Sequence, residues 1–232
     1  MSRGGFMKTI KEFALKYRHS LWIISYLLFY LLGFYILEHA EHRHYHVIHS
    51  WLDDKIPFCE YFIIPYLLWF FYIAVGLCWF IIKCKNRREY YQLVSVLAIG
   101  MTIFLVVSCI YPNMQTLRPT VFARDNVFTR MVQILYQTDT PTNILPSIHV
   151  FNSLAMFYAI CGNSELRKKK AVTAGAGILT LLIILSTMFL KQHSVVDVSL
   201  GVLMSVAVQV FCQHLFQGEE ERYEKGYLRR IY

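Results

Sequence analysis

Long apolar runs alternate with short polar segments along the chain. The six runs that are nearly free of charged residues are 21–37, 61–82, 91–110, 147–161, 171–190 and 195–216. A helix that crosses the hydrocarbon layer of a membrane needs about 20 such residues, within a range of about 17–25. The pattern therefore predicts an all-α fold, a six-helix transmembrane bundle in which the fourth helix is short.

Composition favours the same class of protein. Hydrophobic residues make up 56% of the 232 residues and charged residues 16%, whereas soluble domains contain about 45–50% apolar and about 25% charged residues. These values exclude a disordered chain and a coiled coil. Because no internal repeat or low-complexity linker interrupts the pattern, we predict a single membrane-embedded domain over residues 1–232.

The basic residues indicate how the helices are oriented. If the N-terminus is cytoplasmic, 17 of the 23 Lys and Arg residues lie in the two terminal segments and in the loops around 83–88 and 167–170. Short cytoplasmic loops carry such an excess. We therefore expect a multi-pass protein of the cell membrane with both termini in the cytoplasm. The basic clusters are expected to contact anionic lipids and no nucleic acid, since they are divided among four segments.

Two segments on the outer side are expected to be ordered. Four histidines recur at three- and four-residue spacing, namely His39, His42, His46 and His49. This spacing places them on one face of an amphipathic interfacial helix, or in a metal or pH site. The second segment, 111–145, contains a helical apolar pattern at 125–136. We expect an interfacial helix there, capped by Asp125 or Asn126.

Polar residues at the outer ends of three apolar runs carry the candidate chemistry. His193 and Asp197 are four residues apart, so a helix would let the carboxylate hold one ring nitrogen and leave the other free as a nucleophile. Ser147 opens a run whose first backbone N–H groups could bind an anion, and His149 lies in that first turn. Arg118 offers a guanidinium that can clamp phosphate oxygens bidentately.

These residues form three motifs that resemble those of the type 2 phosphatidic acid phosphatases, relatives of the vanadium haloperoxidases. The chain contains, in order, Arg118-Pro119, then Pro146-Ser147-Ile148-His149, then Ser186 with His193 and Asp197 seven and eleven residues later. This motif region spans 111–197, which is 87 of the 232 residues.

The chain departs from the family motifs at three positions. Tyr111, Ile148 and Thr187 stand where the family has Lys, Gly and Arg. Lys191, two residues before the motif histidine, is the candidate replacement for the missing positive charge. The stretch 186–193 also resembles the inositol phosphorylceramide synthase branch of the superfamily, whose members transfer phosphorylated head groups.

The resemblance implies phosphoryl transfer without a metal or another cofactor. His193 would attack phosphorus, Asp197 would hold its tautomer, and His149 would protonate the leaving oxygen and then activate water or an alcohol. The implied phosphate-binding residues are Arg118, Ser147, Ile148 and Lys191.

The prediction from sequence is therefore a lipid phosphate phosphatase that works through a phosphohistidine on the non-cytoplasmic face. Its partners would be a lipid phosphate substrate and the surrounding membrane lipids. One alternative is a head-group phosphotransferase of the inositol phosphorylceramide synthase type. A non-enzymatic alternative is a transporter, or a pH or metal sensor that uses the histidine-rich segment. Transporters usually place polar breaks near the middle of the membrane, whereas here the polar residues lie at the outer ends, which favours an enzyme.

Overall fold

The computed structural model describes residues 18–40 and 44–231, with side chains described as far as residue 217. The α-helices of this part are α1 (Ser20–His39), α2 (Ile63–Ile82), α3 (Arg87–Ile110), α4 (Val127–Thr138), α5 (Ile148–Gly162), α6 (Lys170–Phe189) and α7 (Val195–Ile231). Short 3₁₀ helices, Glu60–Phe62 and Leu166–Lys168, precede α2 and α6. Two strands, β1 (His46–Val47) and β2 (Asn113–Met114), pair in parallel.

The helices confirm the predicted all-α membrane fold. Five of them, α1, α2, α3, α6 and α7, are long and apolar enough to cross a membrane. Helix α5 is apolar but has 15 residues, which corresponds to a length of about 22 Å. Large apolar side chains such as Phe29, Phe71 and Leu203 are exposed on the surface of the bundle, where lipid tails can cover them.

The short helix α5 lies in the middle of the bundle and packs against α2, α3, α6 and α7. Phe151 and Met156 are completely buried on it. Glycines on the neighbouring helices make this close packing possible, since a Cβ at Gly100 would lie 1.9 Å from the Phe151 ring. Small residues serve this purpose in many membrane bundles.

One end of the bundle, which we call the loop-rich end, gathers the segments 44–59, 111–147 and 190–194. An apolar cluster at this end packs α4 against α2 and the turn after α6; its buried members are Ile63, Tyr66, Val132 and Leu190. The hydroxyl of Tyr136 donates to the Leu190 carbonyl at 2.6 Å. Helix α4 confirms that the second outer segment contains a helix, and its cap is Asn126, which accepts from the Thr129 N–H.

The prediction of a helix through 39–49 is wrong for the part that the structure describes. Residues 46 and 47 are extended, because the His46 N–H donates to the Pro112 carbonyl at 2.9 Å and the Ile48 N–H to Met114 at 2.8 Å. These backbone bonds join the segment to the chain that follows α3 and leave it no helical turn.

The described histidines of this segment are therefore separated and have different partners. His39 bonds the Tyr35 carbonyl, His46 stacks on the Tyr111 ring and His49 pairs with Asp54. His42 lies outside the described residues. Among the side chains that the structure describes, in 18–40 and 44–217, no group of three His, Cys, Asp or Glu is arranged to hold a metal ion.

The opposite end of the bundle contains a polar cavity where α5 stops. The cavity has a volume of about 400 Å³ and lies between α3, α5 and α7. Amide side chains on its wall include Gln92, Asn163, Gln209 and Gln213. The Asn163 amide donates to the Glu89 carboxylate, which also accepts from the Ser164 N–H at 3.2 Å. These contacts fix the end of α5 against α3.

We expect Gly201→Ala to destabilise the protein. A Cβ at Gly201 on α7 would lie 2.8 Å from the Ser147 carbonyl oxygen and 3.2 Å from Val150, so α5 must shift away from α7. Overpacking of this kind lowers the free energy of unfolding by about 1–3 kcal/mol. Unfolding in detergent micelles measures it. Gly175→Ala is the matched control, because a Cβ there meets nothing within 4 Å. Equal stability of the two variants would contradict the close packing.

Candidate active site

The structure brings two of the predicted histidines and the predicted acid into one hydrogen-bonded chain. His193 Nδ1 is hydrogen-bonded to Asp197 Oδ2. On the other side of the ring, His193 Nε2 lies 3.3 Å from His149 Nδ1, and the two rings are inclined by 65°. Asp197 is fully buried and His193 is 8% exposed. His149 comes from the start of α5, His193 from the turn before α7 and Asp197 from the first turn of α7, at the loop-rich end.

The turn that holds His193 is a Schellman motif at the end of α6. The Thr187 carbonyl accepts from Gln192 N–H at 2.9 Å and from His193 N–H at 3.0 Å, and Lys191 N–H donates to Met188 at 3.0 Å. Lys191 has the left-handed φ of 53° that this motif requires and that glycine adopts more easily. His193 therefore lies in a turn, whereas the sequence predicted it within the last helix.

Asp53, which the sequence analysis did not select, fixes the start of α7 just after this turn. Its Oδ1 accepts from the Val195 N–H at 2.8 Å and its Oδ2 from the Ser194 hydroxyl at 2.6 Å. Ser194 Oγ in turn accepts from the Val196 N–H at 3.1 Å. This buried carboxylate supplies an acceptor to a helix N-terminus from another part of the chain. It therefore positions the backbone on either side of His193 and Asp197.

His149 is placed by the start of α5 and by two aromatic side chains of α2. The Ser147 N–H donates to the Asp197 carbonyl at 3.0 Å, which links the first turn of α5 to α7. The His149 ring packs against Trp69 and Tyr66, with centroid distances of 4.4 and 4.8 Å. The side chain of Ile148 packs against the apolar core, which leaves the backbone N–H as the group of this residue that the sequence prediction concerns.

Arg118 caps the C-terminal end of α4 and reaches the turn that holds His193. One terminal nitrogen donates to the carbonyls of Tyr136 at 3.2 Å and Asp139 at 2.8 Å. The other donates to the Thr140 carbonyl at 3.2 Å and to the Gln192 side chain. Four of the five N–H groups of a guanidinium are thus engaged. The bidentate phosphate clamp expected from sequence would need some of these bonds to break, whereas Nε–H is buried without a partner.

Several buried polar atoms without a partner belong to residues of the histidine pair's surroundings. In the described part of the chain they include Trp69 Nε1, Arg118 Nε, Ser147 Oγ and Asp197 Oδ1. Buried polar groups in folded proteins are normally hydrogen-bonded. The first three can donate, so a ligand with several acceptor oxygens would satisfy them. Trp69 is a further residue that the sequence analysis did not select.

The ammonium group of Lys191 has its hydrogen-bond partner outside the histidine pair. Its ammonium group donates to the Asp53 carbonyl at 2.6 Å, and among the described residues we find no hydrogen bond from it to either histidine. Burial lowers the pKa of Lys191, and the nearby carboxylates of Asp53 and Asp54 oppose this shift. The structure thus brings Arg118 and the start of α5 to the histidine pair but ties Lys191 to the segment after α1.

Asp139 is a carboxylate beside the site that no motif contains. Its Oδ2 accepts from the Tyr66 hydroxyl at 3.2 Å and from the Gln192 amide at 3.3 Å. Burial raises the pKa of Asp139, and the nearby Arg118 and His193 partly offset this shift. Its position directly after a predicted helix made it resemble an ordinary loop acid in sequence.

The fold and the site together define the class of this protein, a helical membrane protein with a buried His–His–Asp chain at one end of its bundle. A model of the PAP2 superfamily matches residues 91–221, a range that includes every predicted site residue. The chain belongs to the PAP2 superfamily. This membership supports a phosphatase-type enzyme that carries out phosphoryl transfer. No curated protein and no solved structure gives a significant match to the chain.

Proposed function

We propose that this protein transfers the phosphoryl group of a membrane lipid through a phosphohistidine at His193, as a metal-independent lipid phosphate phosphatase. The observation that carries the proposal is the chain of contacts from Asp197 through His193 to His149. It supplies a nucleophile, a group that holds the nucleophile's tautomer, and an acid or base beside the reacting nitrogen.

In the first step, His193 Nε2 attacks phosphorus and the bond from phosphorus to the lipid oxygen breaks. His149 gives its proton to that oxygen, and Asp197 stabilises the positive charge of the phosphorylated ring. Because His149 Nδ1 lies 3.3 Å from Nε2 without substrate, this contact opens as the phosphoryl group enters. In the second step His149 removes a proton from water, and the resulting attack releases phosphate and restores His193.

The charge that develops on the phosphoryl oxygens needs donors that are already in position. Arg118 Nε–H and the Ser147 hydroxyl are buried without partners. The first backbone N–H groups of a helix have no acceptor within the helix, and those of α5 begin at Ile148. These groups support a phosphate site between the start of α5 and Arg118.

We expect His193→Ala and His149→Ala each to lower the rate of lipid phosphate hydrolysis at least about 100-fold, since each removes a group that takes part in bond making or proton transfer. The measurement is release of phosphate from a panel of lipid phosphates. Vanadate should inhibit the reaction and chelators should leave it unchanged.

His46→Ala is the matched control, because His46 stacks on Tyr111 at the same end of the bundle and has no part in the mechanism. Quenching with sodium dodecyl sulfate at alkaline pH, with substrate radiolabelled on phosphorus, should trap an alkali-stable, acid-labile phosphoenzyme in the wild type and none in His193→Ala. Full activity of His193→Ala would refute the mechanism.

We further propose that the loop-rich end faces the non-cytoplasmic side. The basic loops 83–88 and 167–170 lie at the opposite end, and such loops are usually retained in the cytoplasm. Single cysteines in a cysteine-free background test this orientation. A cysteine at the exposed Asp54 should react with an impermeant thiol reagent added outside, and one at the exposed Lys85 should not. The reverse pattern would place the site in the cytoplasm.

A second candidate reaction is transfer of a phosphorylated head group from a phosphodiester to an alcohol. The observation that favours it is the position of Lys191, whose ammonium bonds the Asp53 carbonyl. A phosphate monoester carries nearly two negative charges at neutral pH, whereas a diester carries one. With Lys191 held elsewhere, fewer positive charges face the substrate, which suits the diester.

With Lys191 bonded to Asp53, we expect Lys191→Met to change the turnover of lipid monoesters and diesters by less than about threefold. Turnover is normalised to the amount of folded protein. A charge-assisted contact with phosphate is worth about 1.5–3 kcal/mol, so a lysine that acted in the site would cost tenfold or more. The assay compares both ester classes, with and without an alcohol acceptor, and Arg118→Met serves as the variant expected to lose activity. A tenfold loss confined to monoesters in Lys191→Met would show that the ammonium reaches the substrate.

A further inference from the structure

We propose that Asp139 is a specificity-determining residue, which lowers the preference of the site for a doubly charged phosphomonoester relative to a singly charged phosphodiester. The inference rests on the proposed phosphoryl transfer at His193 and concerns how the site discriminates between the two candidate substrate classes. Asp139 lies outside every motif that the sequence analysis used.

The contacts of Asp139 place its carboxylate beside both histidines. Tyr66, which donates to its Oδ2 at 3.2 Å, also packs on the His149 ring. Gln192, which donates to the same oxygen at 3.3 Å, is the residue directly before His193. The carboxylate is therefore linked to His149 through the Tyr66 side chain, and to His193 through the residue that precedes it in the chain.

The charges around Asp139 leave little net positive charge for a dianion. Arg118 is the cation bonded into this network, through the Asp139 carbonyl and the Gln192 side chain. The Glu38 carboxylate lies close by, since it accepts from Asn143 at 3.0 Å and from the Thr140 hydroxyl. In a partly buried site, each added negative charge on the substrate is repelled by these carboxylates. A diester meets about half of the repulsion that a monoester meets.

The variant Asp139→Asn distinguishes the electrostatic effect of the Asp139 charge from a structural effect of its hydrogen bonds. An asparagine side chain has nearly the same shape and keeps an oxygen that can accept from Tyr66 and Gln192, but it carries no charge. Asp139→Ala removes the hydrogen bonds as well. Asp54→Asn is the matched control, because it makes the same change of charge at an exposed residue of the same end.

The experiment measures kcat/KM of the full chain in nanodiscs for a phosphomonoester and a phosphodiester with identical acyl chains. We expect Asp139→Asn to raise the ratio of monoester to diester turnover about tenfold, since apposed like charges oppose binding strongly. Asp54→Asn should leave the ratio unchanged. An unchanged ratio in Asp139→Asn, or equal losses on both esters in Asp139→Asn and Asp139→Ala, would overturn the proposal.

A binding measurement keeps the inference separate from the proposed function. The affinities for inorganic phosphate and for dimethyl phosphate are obtained from the shift in thermal unfolding of wild type and Asp139→Asn. If the variant gains more affinity for phosphate than for dimethyl phosphate, relative to wild type, the result supports the role of Asp139 even if neither ester is turned over. If the esters are turned over but the variant gains equal affinity for both anions, the role of Asp139 is refuted and the proposed function stays intact.

Discussion

Asp197 is bonded through both its side chain and its backbone, and the arrangement of the candidate site depends on these two contacts. The carboxylate holds His193, and the carbonyl accepts from the Ser147 N–H at 3.0 Å, two residues before His149. One residue thus relates both histidines to each other. A fully buried acid is costly to desolvate, so these contacts fix the geometry of the two histidines rather than add stability. Four helices pack around α5 and fix its position in the bundle, and with it the position of His149.

The helices could be predicted from sequence because each consists of a long apolar run, and the bilayer fixes the length that such a run needs. The conformation of the segment at 39–49 could not be predicted in this way. Its histidines repeat with a helical period, but its conformation is decided by backbone pairing with residues 112–114. Pairing between strands of two residues, more than 60 positions apart, leaves no periodic signal in a single sequence. The cap at Asn126 was predictable because it is local.

The candidate site shows the same difference between residues marked by a local sequence signal and residues placed by distant contacts. His149, His193 and Asp197 were selected because their spacing is a motif. Asp53 and Asp139 act through contacts made 53 to 142 positions away, so neither differs in sequence from an ordinary loop acid. Lys191 is the opposite case, since closeness in sequence predicts that its charge reaches the site, whereas the structure gives its ammonium group another partner, the Asp53 carbonyl. The left-handed residue of a Schellman turn carries that side chain to another part of the chain.

The short helix α5 has a consequence for the bilayer itself. Its length of about 22 Å falls roughly 8 Å below the thickness of a typical hydrocarbon layer. Helix α5 stops at the polar cavity, and at its other end the Asp197 carbonyl holds its first turn. Changes in bilayer thickness produce hydrophobic mismatch, which proteins absorb by tilting or by thinning the lipid around them. The amide-lined cavity borders the end of α5 that lies about 22 Å from the turn that carries His149, so lipid that adapts at that end does so at a distance from the two histidines.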